Sequence, residues 1–167
     1  SRWQPSLRRY AQEFGIKIVS LEELYEIKDL VFLSLEYEKL IRPENFLSSQ
    51  LFNIHFSNLP SYRGMYTSAW PILNGELHSG VTLHKIDSGI DTGELIDQKI
   101  FDISPEETAR TLYFKYLEFG LNLFKENISK TFLKRIILFF FLLVFISLTY
   151  TYIFIFYTGT REIYTIK

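Results

Sequence analysis

The sequence predicts an α/β fold in which a mostly parallel sheet is flanked by helices. Three observations point there. Residues 16–19, 30–35 and 51–56 are short apolar runs, the second almost continuously so, as in parallel strands covered on both faces. Segments with helix-start and helix-stop residues lie between and after them, so strands and helices alternate. A further strand, residues 81–86, runs into a turn bounded by Gly89 and Gly93, and alternating folds gather their sites at the carboxyl ends of strands.

Residues 5–14 read as a helix entered through Pro5 and ended by Gly15. After the run 16–19, Ser20 and Glu23 stand at the spacing of a capping box and announce a helical turn. The strand at 30–35 follows, Pro43 opens a short helix, and 51–56 returns to strand. Residues 53–91 read as strand, tight loop, short helix, second strand and acidic turn, and 95–101 as one more strand. Ser104, Pro105 and Glu107 then take the N-cap, N1 and N3 positions of a helix. Its sheet-facing stripe is predicted as Ala109, Leu112, Tyr113, Tyr116, Leu117, Gly120, Leu121 and Phe124.

A chain of 167 residues has room for one domain with its own core. Its 18 Lys and Arg against 19 Asp and Glu leave a formal charge of −1, so composition provides no general attraction to nucleic acid; DNA is not expected as a partner and tRNA is disfavoured. The absence of cysteine excludes a disulfide framework and any thiolate ligand or nucleophile, and is compatible with a cytoplasmic location. His78 and His84 have no companion at metal-ligand spacing and read as surface or strand histidines, so no metal site is expected. The opening, from Ser1 to Pro5, has no initiator Met and no signal-peptide pattern, and reads as a start in mid-domain.

The chemistry concentrates between Asn53 and Asp91. Asn53 and His55, two apart on a strand, would present an amide and an imidazole on one face, and the turn after the next strand would hold a carboxylate. The ordered set Asn53-Ile54-His55-Phe56-Ser57, Leu59-Pro60-Ser61-Tyr62-Arg63-Gly64, Ile72-Leu73-Asn74-Gly75-Glu76, Gly80-Val81-Thr82 and the run from Asp87 to Gly93 resembles the catalytic half of the folate-dependent formyltransferases. The likeness covers roughly residues 1–128, and the aromatic insert from Met65 to Pro71 is most similar to the sugar N-formyltransferases.

The resemblance implies a Rossmann-like domain over residues 1–130 that transfers a formyl group from 10-formyltetrahydrofolate to a primary amine, that of a nucleotide-linked aminosugar. It implies catalytic roles for Asn53 as donor to the developing oxyanion, His55 as proton donor or shuttle, and Asp91 as orienter of His55 and acceptor of the amine proton. Leu33, Leu35, Asp87 and Gly89 fall where the cofactor would lie, although Asp87 suits a turn former better than a catalyst. Tyr66 and Trp70 would stack on the acceptor or fill core. Arg63 would meet a phosphate, though structural contact is the commoner use of arginine in a Tyr-Arg-Gly loop. Two alternatives are a methionyl-tRNA formyltransferase and an inactive, membrane-attached remnant, and a homodimer is compatible with each. Asp91-Thr92-Gly93 also marks aspartic proteases, but there is no second copy and the alternation of strands and helices argues against that class.

Two departures from the family stand out. Its members open with a strand, a helix and a second strand carrying a Gly-containing turn, and the expectation is that this chain is truncated at its amino end. Residues 131–167 form a separate hydrophobic tail, in which 136–157 would be one helix long enough to cross a bilayer of ~30 Å. Lys130, Lys134 and Arg135 before it favour a cytoplasmic body anchored by a single carboxyl-terminal helix. Its Phe, Ile, Leu, Tyr and Lys are equally what adenine- and thymine-rich codons yield out of frame, and the sequence leaves both readings open.

Overall fold

The computed structural model describes residues 7–35, 37, 39–142, 153–155 and 163–166. The chain divides into two compact units, one of residues 1–53, 85–94 and 151–167, the other of residues 54–84 and 95–150.

In the first unit α1 (Leu7–Glu13) stops at Gly15, whose φ of +64° is the left-handed conformation that favours glycine after a helix. After β1 (Lys17–Val19), α2 (Glu22–Tyr25) is entered through the expected capping box. The Ser20 N–H donates to Glu23 Oε2 at 2.7 Å, and the Glu23 N–H donates to Ser20 Oγ at 3.3 Å. Next come β2 (Val31–Leu35), a 3₁₀ turn at Pro43–Asn45, and β3 (Leu51–His55), which gives its first three residues to this unit and its last two to the other. Val19, Leu24, Leu30, Phe32, Ile41, Phe46 and Leu51 make the core, with Phe46 edge-on to both Tyr25 and Phe32. Ser48 is buried there and satisfied, donating to the Leu30 carbonyl at 2.6 Å and accepting from the Gln50 N–H at 3.1 Å.

Two strands from the tail complete this part of the sheet in the order β1-β7-β6-β2: β6 (Ile153–Ile155) runs parallel to β2, and β7 (Ile163–Ile166) is antiparallel to β6 and β1. A single helix over 136–157 is therefore corrected. Residues 136–142 continue a helix, 143–152, 156 and 157 lie outside the described residues, and Ile153–Ile155 is a strand, as suits β-branched and aromatic side chains. Among the described residues no helix is long and apolar enough to cross a membrane.

The second unit holds the end of β3, α3 (Trp70–Leu73), β4 (His78–Lys85, without its last residue), β5 (Leu95–Asp102) and α4 (Ala109–Leu142). β4 and β5 pair antiparallel from His78↔Asp102 to His84↔Leu95, with a register shift between Leu83 and His84. The sheet is thus mixed, not mostly parallel. Residues 86–94 are too short a link for the crossover of a dozen or more residues that a parallel pair needs.

α4 starts one turn later than Ser104 predicts. Ser104 to Glu107 forms a turn of its own, with the Ser104 N–H donating to Glu107 Oε2 at 3.0 Å, and Thr108 is the effective cap, its Oγ1 accepting from the Thr111 N–H at 3.2 Å. The buried stripe is Leu112, Tyr113, Tyr116, Gly120 and Leu123; Leu121, expected in it, is exposed. Gly120 fits because Phe56 lies across it: a Cβ there would sit 3.3 Å from the Phe56 ring. Phe56 stacks on Tyr116 at 5.3 Å, and Phe101 meets Tyr116 edge-on at the same distance.

Candidate functional site

In the first unit the acidic turn is built from its own residues. Asp87 Oδ1 accepts from the Gly89 N–H at 3.0 Å and from Thr92 Oγ1 at 2.7 Å, which makes Asp87 a turn former. The Lys85 N–H closes the turn on the Glu94 carbonyl at 2.9 Å, and Lys85 Nζ, 2.6 Å from Glu94 Oε2, holds the Glu94 carboxyl below its usual range. Both glycines are demanded by contact: a Cβ on Gly93 would lie 1.9 Å from the Lys85 carbonyl oxygen, and one on Gly89 would lie 2.0 Å from Thr92 Oγ1. The turn leaves Asp91 at φ +50°, a region that Asp tolerates better than most side chains, and there its Oδ1 accepts from Asn53 Nδ2 at 3.3 Å. Asn53 and Asp91, 38 positions apart in sequence, are thereby joined. Leu33, of the expected cofactor residues, is buried in β2 and Leu35 is half-buried.

The second unit holds His55, buried at the end of β3. Its Nε2 lies 2.8 Å from the Tyr62 carbonyl oxygen, and since a carbonyl only accepts, Nε2 is the nitrogen that carries the proton. Tyr62 adopts φ +53°, which for a side chain of this size costs about 1–2 kcal/mol. The loop around it is pinned. Ser57 Oγ donates to the Ser61 carbonyl at 2.7 Å, and Thr82 Oγ1 donates to the Ser57 carbonyl at 2.7 Å while accepting from the Leu59 N–H and Gln98 Nε2. At its outer end the Tyr62 hydroxyl donates to Glu76 Oε1 at 2.5 Å and accepts from Asn74 Nδ2 at 2.8 Å. The Asn74 amide lowers the pKa of this phenol, but the Glu76 carboxylate and desolvation outweigh it and the net direction is up.

Beyond Tyr62 the aromatic insert lies open. Tyr66 is 73% and Trp70 47% exposed, which overturns the core-filling alternative for both. Arg63 is exposed and makes no ion pair or hydrogen bond among the described residues. His78 is exposed and pairs across the strands with Asp102 at 2.9 Å. His84 is buried, its ring centroid 6.4 Å from that of His55 and nearly perpendicular to it. Of the two readings the sequence left for His84, surface or strand histidine, it takes the second, in β4 just past the register shift at Leu83. Among the described residues no group of acidic or histidine side chains could hold a metal ion.

The formyl transferase family model matches residues 20–128. The chain belongs to that family. It is 34% identical over 137 residues to a methionyl-tRNA formyltransferase of Caldanaerobacter subterraneus subsp. tengcongensis, a match that covers 74% of this chain and 44% of that protein. Among solved structures, an N-formyltransferase from Helicobacter canadensis in complex with folinic acid and dTDP-3-aminofucose is 55% identical, with a TM-score of 0.75 over 77% of this chain and 48% of that one. WlaRD, a sugar 3N-formyl transferase solved in the presence of dTDP and 5-N-formyl-THF, is 57% identical, with a TM-score of 0.74 over 76% of this chain and 46% of that one. The chain thus spans less than half the length of these family members.

Proposed function

We propose that this chain carries the catalytic part of an enzyme that transfers a formyl group from 10-formyltetrahydrofolate to the amine of a nucleotide-linked aminosugar. The observation that carries the choice of acceptor is the difference in likeness: 55–57% identity to the two sugar enzymes, against 34% to the methionyl-tRNA enzyme over a similar share of this chain. The exposed Tyr66 and Trp70, with Arg63 beside them, supply flat apolar faces and a cation for a base, a sugar or a phosphate.

The donor set fits the cofactor proposed for it. When bound, 10-formyltetrahydrofolate would supply an electrophilic formyl carbon whose oxygen gains negative charge. An amide that already gives one N–H to Asp91 is oriented, and Asn53 would stabilise that oxygen. His55 would hold or move a proton, and the Asp91 carboxylate would orient His55 and take the proton leaving the amine. Leu33 and Leu35 would line the cofactor's apolar side, with the Asp87–Gly89 turn beside it.

The test is made in a version carrying the rest of the length that the relatives have. Asn53→Ala should slow formyl transfer by ~10²–10³ with acceptor KM little changed. His55→Ala should slow it by roughly 10²–10⁴. The double change of His55 and Asp91 to Ala should be little worse than the poorer single change if the two act as a unit. In a side-by-side assay, formylation of methionyl-tRNA with no turnover of a dTDP-aminosugar would replace the sugar reading with the tRNA one. Full multiplicative loss in the double variant would dissolve the constellation.

A further inference from the structure

We propose that Tyr62 is a positioning residue for His55: its carbonyl oxygen fixes the proton of the imidazole on Nε2, and its hydroxyl, clamped between Asn74 and Glu76, holds that carbonyl in place. The argument begins at the bond between them. His55 Nε2 and the Tyr62 carbonyl oxygen are 2.8 Å apart at a buried ring, and only the Nε2–H tautomer or the imidazolium can make that bond. In the neutral ring the basic lone pair is then on Nδ1. Which nitrogen is basic decides which edge of the ring can take or deliver a proton.

The carbonyl points at His55 only because Tyr62 stands at φ +53°, a conformation that a tyrosine does not hold without help. Help comes from both sides. Toward the chain start, Ser57 Oγ fixes the neighbouring Ser61 carbonyl, and Thr82 fixes Ser57. Toward the far end, the phenol reaches across to Asn74 and Glu76, which follow α3, and is gripped there by one donor and one acceptor. The side chain of Tyr62 thus ties the segment after α3 to the tautomer of a ring that it meets through its backbone. Catalytic consequences rest on the proposed role of His55; the tautomer itself does not.

The experiment reads the ring directly, in the whole chain labelled with nitrogen-15, by long-range proton–nitrogen correlation at a pH where the imidazole is neutral. With three histidines, His78→Gln and His84→Gln variants assign the signals. The expected spectrum places the His55 proton on Nε2 and shows that N–H protected from exchange with water. Tyr62→Phe keeps the ring and removes both hydroxyl bonds; protection should fall by at least roughly tenfold, the lower end for a hydrogen bond to a charged group. Should that variant fold poorly, Glu76→Ala removes one jaw of the clamp and should give a smaller fall, which Glu76→Gln, still able to accept, should restore. A His55 proton on Nδ1, or protection unchanged in both Tyr62→Phe and Glu76→Ala, overturns the proposal. Correct tautomer and protection, alongside no formyl transfer by the version that carries the rest of the relatives' length, would instead overturn the functional reading and leave this one standing.

Discussion

The acidic turn of the first unit and the Ser57–Glu76 segment of the second hold their functional groups by opposite means. Between Lys85 and Glu94 the restraints that shape the turn are local, although Ile86 and Asp91 also bond Leu51 and Asn53: Asp87 bonds residues two and five positions ahead, two glycines admit the backbone, and Lys85 meets Glu94. The loop after β3 depends on partners far away in sequence. Thr82 and Gln98 grip it 25 and 39 positions from Ser57 and Leu59, and Tyr116 reaches 49 positions back to Thr67. A local turn can be specified by its own few residues, whereas a loop pinned from outside is only as firm as the strands and helix that pin it.

Thr82→Val makes the severest test of that difference. Valine keeps the shape but removes a fully buried hydroxyl that donates to the Ser57 carbonyl and accepts from the Leu59 N–H and Gln98 Nε2. Each orphaned buried group costs ~1–3 kcal/mol before relaxation, so a loss of about 3 kcal/mol is expected, read as a fall in the urea midpoint of the second unit. A loss under about 0.5 kcal/mol would mean that the loop holds itself and that the contrast with the acidic turn is false.

Gly93→Ala should come next and should act locally. The new methyl has no room beside the Lys85 carbonyl and the turn must open, at about 1–3 kcal/mol as for other overpacked sites. Chemical-shift changes should cluster between Lys85 and Glu94 and at Asn53, whose amide would lose Asp91. Spread of those changes through β5 and α4 would show that the turn is not an independent device.

This division also explains what the sequence could reveal. The Ser20–Glu23 box, the helix stop at Gly15 and the Asp87 turn were readable because their determinants lie within five residues of one another. That Asn53 and Asp91 belong to one set came from an ordered motif, which made Asp91 the orienter of His55; the bond between Asn53 and Asp91 was not foreseen, since no periodicity links positions 38 apart. The clamp on Tyr62, the burial of His84 and the exposure of Tyr66 and Trp70 were invisible because each depends on which strand lies beside which. The tail misled for a related reason: an apolar run rich in Ile, Phe and Tyr satisfies both a membrane helix and a sheet strand, and pairing with β2 decided residues 153–155.

The smallest effect, and the finest cut, is expected at Tyr116. Its hydroxyl donates to the Thr67 carbonyl at 3.2 Å, and a phenol has one proton, so the 2.6 Å contact with Ser79 must be a bond that Ser79 donates. Tyr116→Phe leaves the stack on Phe56 and the edge contact with Phe101 intact and removes this chain of two bonds, so the cost should be about 1 kcal/mol. Because Ser79 acts through Tyr116, Ser79→Ala added to Tyr116→Phe should cost less than the two single losses together, with a coupling of roughly 0.5–1 kcal/mol in a double-mutant cycle. Hydrogen exchange should speed up at residues 67–70, next to the exposed Tyr66 and Trp70, and hardly at all in the acidic turn. Additive losses, or faster exchange spread evenly over both regions, would show that Tyr116 supports the core in general and does not pin the aromatic insert.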